Sequence, residues 1–77
     1  MTPKYYIGKY KGIEAMDVVL DFQADNYNVG VAIAYLLRAG NKPNNPMIDD
    51  LEKAIVHLQR EVDHITNRQY ELEEERE

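Results

Sequence analysis

The sequence predicts an all-α fold: three helices preceded by an irregular N-terminal arm, with a long amphipathic C-terminal helix. Two observations support this prediction. Apolar residues recur at three- and four-residue steps from Ile13 onward, and glycine, proline and asparagine interrupt that spacing only over short intervals. We therefore divide the 77 residues into an arm (1–12), a helical domain (13–65) and an acidic helical tail (66–77).

The arm is predicted to be irregular or briefly extended, because Pro3, Gly8 and Gly12 interrupt a tyrosine-rich stretch. The first helix should begin at Ile13. Its apolar positions are Ile13, Met16, Val19 and Leu20, and its acidic positions are Glu14, Asp17, Asp21 and Asp25. The acidic stripe is either a solvated outer face, which is the commoner case, or a set of carboxylates that holds Mg²⁺ and nucleotide phosphates.

The second predicted helix, residues 29–39, is apolar almost all round and should therefore be buried. The stretch before it, residues 25–28, supplies turn and N-cap residues. Gly40 follows it and fits the left-handed position at a helix end. The segment 41–45 contains Pro43 and three asparagines, so the chain must turn there.

The third helix is predicted to start with Asn45 as N-cap and Pro46 as its first residue. A heptad repeat follows, and β-branched residues at a with mostly leucine at d favour two strands in isolated parallel coiled coils. Position a holds Ile48, Ile55, Val62 and Gln69, and position d holds Leu51, Leu58, Ile65 and Leu72.

The length of this helix predicts two different partners for the heptad repeat. From Pro46 it would extend about 40 Å, more than twice the reach of either preceding helix. We expect 48–58 to pack on the first two helices of the same subunit. The remainder should contact a second copy, through Leu58, Val62, Ile65 and Leu72.

Composition limits the function. The chain has no cysteine, no apolar leader and no long apolar run, which favours a reducing cytoplasm and no membrane. Its net charge of -5 makes duplex nucleic acid an improbable partner. Without serine, cysteine or a phosphate-binding glycine loop, no catalytic residue is identified.

Two clusters of polar residues are candidate sites. His57, Glu61 and His64 share one side of the third helix, but a single helix offers a poor metal site, and we predict no metal there. Lys42 and its neighbours around the turn could grip a phosphate, or could pair with acids at the start of the third helix. The cations are Arg38, Lys42 and Lys53, and the acids are Asp49, Asp50 and Glu52.

The order and spacing of residues 10–17, 35–42 and 50–54 resemble a family of small bacteriophage proteins classed as a domain of unknown function, one relative of which is a phage nucleotide kinase. The resemblance covers about residues 10–62. Where the family usually has a histidine, an asparagine and a lysine, this chain has Lys9, Val31 and Ala34. The ligand-binding residues that the residue patterns and the resemblance together suggest are Tyr10, Glu14, Asp17, Tyr35, Arg38, Lys42, Asp50 and Lys53.

The resemblance implies a phage accessory protein in the cytoplasm of an infected bacterium. It would bind a nucleotide or a nucleotide-like signal, with Mg²⁺ as the one cofactor to consider. Kinase-like activity is left open, because the altered positions are those suited to phosphate contact or proton transfer. The alternative is an interaction protein that inhibits a host or defence protein through its acidic helical faces.

Overall fold

The computed structural model describes the backbone of residues 2–75 and the side chains of residues 2–68. A 3₁₀ turn (Lys4–Tyr6) precedes three helices, α1 (Ala15–Gln23), α2 (Tyr27–Arg38) and α3 (Met47–Glu75). Within the described residues there is no β-strand, and Ile7 and Glu14 form an isolated antiparallel bridge. The predicted all-α class with a long C-terminal helix is confirmed.

The arm folds back on the start of α1. The backbone N–H of Gly8 donates to the carbonyl of Ile13 at 2.8 Å, and Gly12 turns the chain with a φ of 66°. Because Glu14 takes part in the bridge, its backbone is extended and α1 begins only at Ala15, two residues later than predicted.

α2 begins at Tyr27, two residues earlier than predicted, inside the segment 25–28 that was expected to supply the turn and the N-cap. The Asn26 side chain accepts a hydrogen bond from the backbone N–H of Val29 at 2.9 Å, which caps the helix. Gly40 follows the helix with a φ of 80°, in the left-handed region. A Cβ on Gly30 would lie 3.0 Å from Val19 Cγ1, so α1 and α2 are close at this point.

α2 is the central helix, because it packs against α1, α3 and the 3₁₀ turn. In the described part of the chain, α1 has no comparable contact with α3. The helices therefore do not close into a bundle, and the molecule measures 54 × 25 × 19 Å with α3 along its length.

The side of α3 that faces α2 carries small and polar residues. Ala54 is only 1% exposed, and Asp50, His57 and Glu61 contact residues of α2. These four positions lie roughly 100° around the helix from the centre of the a and d positions, at 100° per residue. α2 can approach this side because Gly30 and Ala32 keep α2 slim.

The heptad positions of α3 lie outside this contact, so the predicted packing of residues 48–58 within the subunit is wrong for most of that segment. Alanine on the α2-facing side allows a closer approach than a row of isoleucine and leucine would, which leaves the larger side chains outside. Ile48 and Ile55 are 56% and 62% exposed, and the other exposed members of the row are Leu58, Val62 and Ile65. We call Ile48, Leu51, Ile55, Leu58, Val62 and Ile65 the α3 seam; Leu51 is half-buried.

The core is thin, and one other sequence expectation fails with it. Of the apolar residues predicted on one side of the first helix, Val19 is buried, whereas Ile13, Met16 and Leu20 are mostly exposed, because α1 packs mainly on α2 in the described residues. Leu36 and Leu37 are also exposed, so α2 is not buried all round. The buried apolar residues of the described part are Ala15, Val19, Ala32, Ala39 and Ala54.

Candidate functional site

A buried ion pair joins the end of α2 to the start of α3. Arg38 Nη2 lies 2.5 Å from Asp50 Oδ1, and Arg38 Nε donates to Asp50 Oδ2 at 3.1 Å. The side chains are 7% and 0% exposed. Such two-point contact between a guanidinium and a carboxylate fixes the orientation of both groups as well as their separation.

The pair shifts the acid–base behaviour of both partners. Hydrogen bonding from Arg38 lowers the pKa of Asp50 and outweighs burial, which acts in the opposite direction. The nearby Asn45 amide favours the carboxylate too, although its buried Nδ2 reaches no acceptor at hydrogen-bond geometry. Hydrogen bonding to Asp50 raises the pKa of Arg38. Both groups are therefore charged in the folded protein at neutral pH.

Tyrosine rings surround the guanidinium. Arg38 Nη1 donates to the Tyr6 hydroxyl at 3.1 Å, which ties the arm to α2. The Arg38 Cζ atom lies 4.9 Å from the ring centroid of Tyr35, 5.6 Å from that of Tyr6 and 5.9 Å from that of Tyr5. These separations are within the range of cation–π attraction, so the tyrosines hold the cation as well as shielding it from water.

Two lysines flank the pair. Lys42 Nζ lies 5.7 Å from the centroid of the Tyr5 ring, and Lys53 Nζ lies 5.6 Å from that of Tyr35. Among the side chains of residues 2–68, neither lysine forms an ion pair, whereas Arg38 does. Of the two interpretations drawn from the sequence, pairing with an acid therefore describes Arg38, whereas Lys53 acts on Asp50 only through a longer-range charge interaction that helps to lower the pKa of that carboxyl.

Beside this cluster the arm, α1 and the end of α2 enclose a half-open groove of about 340 Å³. Its polar lining includes Tyr5, Tyr6, Lys9, Tyr10 and Asn41, and Tyr10 itself is 99% exposed. A volume of this size lies at the lower end of the range for small-molecule sites. Aromatic rings next to ammonium groups suit a ligand that is both planar and anionic.

The eight predicted ligand-binding residues are only partly brought together. Tyr35, Arg38, Lys42, Asp50 and Lys53 gather at the junction of α2 and α3. Tyr10 lines the neighbouring groove. Glu14 and Asp17 lie at the start of α1, and within residues 2–68 no hydrogen bond or ion pair links either to the cluster.

The acidic stripe of the first helix is interrupted, because α1 ends at Gln23 and Asp25 lies beyond it. In the described part of the chain, no group of three or more histidine, aspartate or glutamate side chains is arranged to hold a metal ion. His57 instead contacts Asn28, with 3.1 Å between Nδ1 and Oδ1, and Glu61 Oε2 accepts from Asn28 Nδ2 at 3.4 Å.

Sequence reasoning missed two groups. Tyr5 and Tyr6 contribute to the site although they are more than 30 residues from Arg38, and no local pattern could assign them. The contact of Asn28 with His57 was also missed, but it had a detectable signal. Asp50, Ala54, His57 and Glu61 follow four-, three- and four-residue steps, as the heptad does, and therefore mark a second continuous side of α3.

Comparison with family models, with curated proteins and with solved structures found no match for this chain. The suggested resemblance to the phage family therefore stays a prediction. In the described residues, no helix has both the length and the apolar character needed to span a membrane.

Proposed function

We propose that this protein is a self-associating helical interaction module, with the α3 seam as its docking surface. The proposal rests mainly on one observation: five of the six seam residues are large apolar side chains exposed to solvent in the isolated chain. Contiguous exposed apolar surface of this kind marks interaction sites in soluble proteins.

The thin core supports the same proposal. A chain of 77 residues buries a smaller fraction of its surface on folding than a larger domain does, and here the buried apolar residues of the described part are four alanines and Val19. Small domains of this kind gain stability from disulfides, metals or partner subunits. Cysteine is absent from the chain, so association is the available source of further apolar burial.

Sedimentation equilibrium at tens of micromolar protein tests the proposal. We expect the wild-type chain to be oligomeric and the Val62→Glu variant to be monomeric, since a buried unpaired carboxylate opposes association. Val56→Glu is the matched control, because Val56 is 48% exposed but lies off the seam. A monomeric wild-type chain, or equal loss of association in both variants, would contradict the proposal.

Beyond self-association, the target of such a module could be a host or defence protein with a basic surface, as the exposed acids Asp17, Asp21 and Asp25 would complement it. Affinity purification from host lysate, compared with an Asp17→Asn/Asp21→Asn variant, tests this extension. Loss of a stoichiometric partner from the variant sample supports it. A partner retained equally by both samples contradicts the role of these acids.

A second candidate function is binding of a nucleotide or a nucleotide-like signal. It is supported by the groove lined by Tyr5, Tyr6 and Tyr10, by the ammonium group of Lys42 beside the Tyr5 ring, and by that of Lys53 beside the Tyr35 ring next to Arg38. A base would stack on a tyrosine ring while phosphates contact the lysines. Mg²⁺ would enter with the phosphates. Whether the ligand is also phosphorylated is left open by these contacts.

Calorimetry against a panel of mononucleotides and cyclic nucleotides tests this second function. We expect Lys42→Ala and Lys53→Ala to weaken binding, and Lys11→Ala, which changes an exposed arm lysine, to have little effect. Arg38→Ala is unsuitable because it leaves Asp50 buried without a partner. The function is refuted if nothing on the panel binds to the wild-type protein.

A further inference from the structure

The spacing of the α3 seam is the same in both directions along the helix. Its six residues are separated by three, four, three, four and three positions. A two-fold axis perpendicular to α3, at the level between Val56 and His57, therefore places the seam opposite an identical copy of itself. Self-complementarity of this kind is what a closed two-fold dimer requires.

We infer that a second copy of this chain docks antiparallel on the seam, centred on that axis. The inference rests on the self-association proposed above and specifies its geometry. The contact would extend about 26 Å along each helix, from Ile48 to Ile65. It consists of three kinds of pair, each made twice: Ile48 with the partner's Ile65, Leu51 with the partner's Val62, and Ile55 with the partner's Leu58.

The position of α2 is compatible with this arrangement. α2 occupies the side of α3 that carries Asp50, Ala54, His57 and Glu61, roughly 100° from the centre of the seam. The partner helix therefore covers surface that the subunit itself leaves open, and the Arg38–Asp50 pair stays intact in the dimer.

Charge favours the antiparallel over the parallel orientation. Residues 71–77 carry five glutamates and one arginine, so parallel pairing would set two acidic tails side by side. In the antiparallel register Met47, the first residue of the partner's α3, lies level with residue 66, so the helix continues from there past the end of the partner's α3 that adjoins the α2–α3 turn. That end of the subunit carries Lys42 and, through the contact of Lys42 with the Tyr5 ring, the lysine-bearing arm. The lysines of the arm are Lys4, Lys9 and Lys11.

A counter-argument comes from the heptad composition, since β-branched residues at a with leucine at d favour parallel pairs in isolated coiled coils. That preference describes helices whose flanking positions, e and g, both lie beside the partner helix. Here Ala54 and Glu61, at position g, face α2, so one edge is occupied. The preference therefore carries less weight than the opposition of two tails of like charge.

Disulfide trapping tests the register, because the wild-type chain has no cysteine. In an Ile48→Cys/Ile65→Cys variant under mild oxidation, the antiparallel dimer gives links between positions 48 and 65 of different chains. Within one chain the two positions are about 26 Å apart, which excludes an intrachain link. Ile48→Cys alone should stay unlinked, because the two copies of position 48 lie at opposite ends of the antiparallel contact, also about 26 Å apart. Val56→Cys serves as an off-seam control.

Mass spectrometry of a tryptic digest identifies the links, since Lys53 and Arg60 separate the two positions into different peptides. Links of 48 with 48 and 65 with 65 would show a parallel pair and overturn the inference. If sedimentation equilibrium shows an oligomer at the same concentration but no disulfide link forms, the antiparallel register is overturned while self-association still holds. A monomer in the wild-type chain would remove both proposals.

Discussion

The buried Arg38–Asp50 pair allows a quantitative prediction. Asp50→Asn keeps the shape of the side chain and removes its charge, which leaves the guanidinium of Arg38 with a neutral partner in a site that is 7% exposed. Removing one member of a buried pair costs about 3–5 kcal/mol. We expect the lower end, about 3 kcal/mol, because a fold this thin gives water a short path to the site.

That loss is large for this molecule. At about 0.05–0.15 kcal/mol per residue, 77 residues give a total stability of about 4–12 kcal/mol. With a urea slope of about 1 kcal/mol/M for a small domain, Asp50→Asn should lower the urea midpoint by about 3 M. Far-UV circular dichroism at one fixed protein concentration measures this shift, because the proposed association would also contribute to stability.

A double variant separates the charge from the position. Arg38→Met/Asp50→Leu replaces both ions with apolar groups of similar volume, and such replacements are often neutral or stabilising. We therefore expect the double variant to unfold at a higher urea concentration than either of its component variants, Arg38→Met and Asp50→Leu. A shift below about 0.5 M for Asp50→Asn, or a double variant no better than the singles, would refute the view that an unpaired buried charge sets the cost.

Three further predictions concern pH, the protein concentration and one glycine. Because the folded-state pKa of Asp50 is lowered, its contribution is complete above the unfolded aspartate pKa of about 3.9 and is lost as pH falls below that value. The urea midpoint should therefore fall more steeply below pH 4 in wild type than in Asp50→Asn. The melting temperature should rise with protein concentration, and a constant value from 2 to 200 µM, about a hundredfold range, would argue against dimeric folding. Gly40→Ala should lower the free energy of unfolding by about 1–2 kcal/mol, because φ is 80° at this position. Gly12→Ala is the control for backbone strain alone, because its φ is 66° and no atom lies within 4 Å of the added Cβ.

The sequence was a good guide to the elements of this fold and a poor guide to their partners. Helix limits depend on local chemistry, so an N-cap within residues 25–28 and the left-handed Gly40 could be predicted, although α2 starts two residues and α3 one residue away from the predicted position. Hydrophobic spacing shows which side of a helix avoids water but not which surface covers it. The row from Ile48 to Leu58 was for that reason assigned to the wrong partner.

The site was predictable to the same degree. The cluster of cations and acids near the α2–α3 turn was evident, because a short connection must bring Arg38 and Asp50 close. Which cation takes the acid depends on helix rotation, and only the folded chain decides that Arg38 forms the ion pair while, among the side chains of residues 2–68, Lys42 and Lys53 form none. The contribution of the tyrosine arm depends on long-range contacts that no sequence spacing encodes.

Salt gives the last prediction, and its sign separates the two orientations of the dimer. In a parallel pair, salt screens the repulsion between the two copies of segment 71–77, each of net charge -4 from five glutamates and Arg76, and association tightens. In the antiparallel pair, salt screens attraction between each tail and the lysines at the partner's opposite end, and association weakens. Unit charges about 10 Å apart in water interact by about 0.4 kcal/mol, so several such pairs give a several-fold change in Kd.

Sedimentation equilibrium at 50 and 500 mM NaCl, over which the Debye length falls from about 14 to about 4 Å, measures this sign. Truncation after Tyr70 is the matched control, since it removes residues 71–77 with their five glutamates and keeps the whole seam. The truncated chain should associate with little dependence on salt, which isolates the electrostatic part from any salting-out of the apolar contact. Association that tightens with salt in the full chain but not in the truncated one would exclude the antiparallel register.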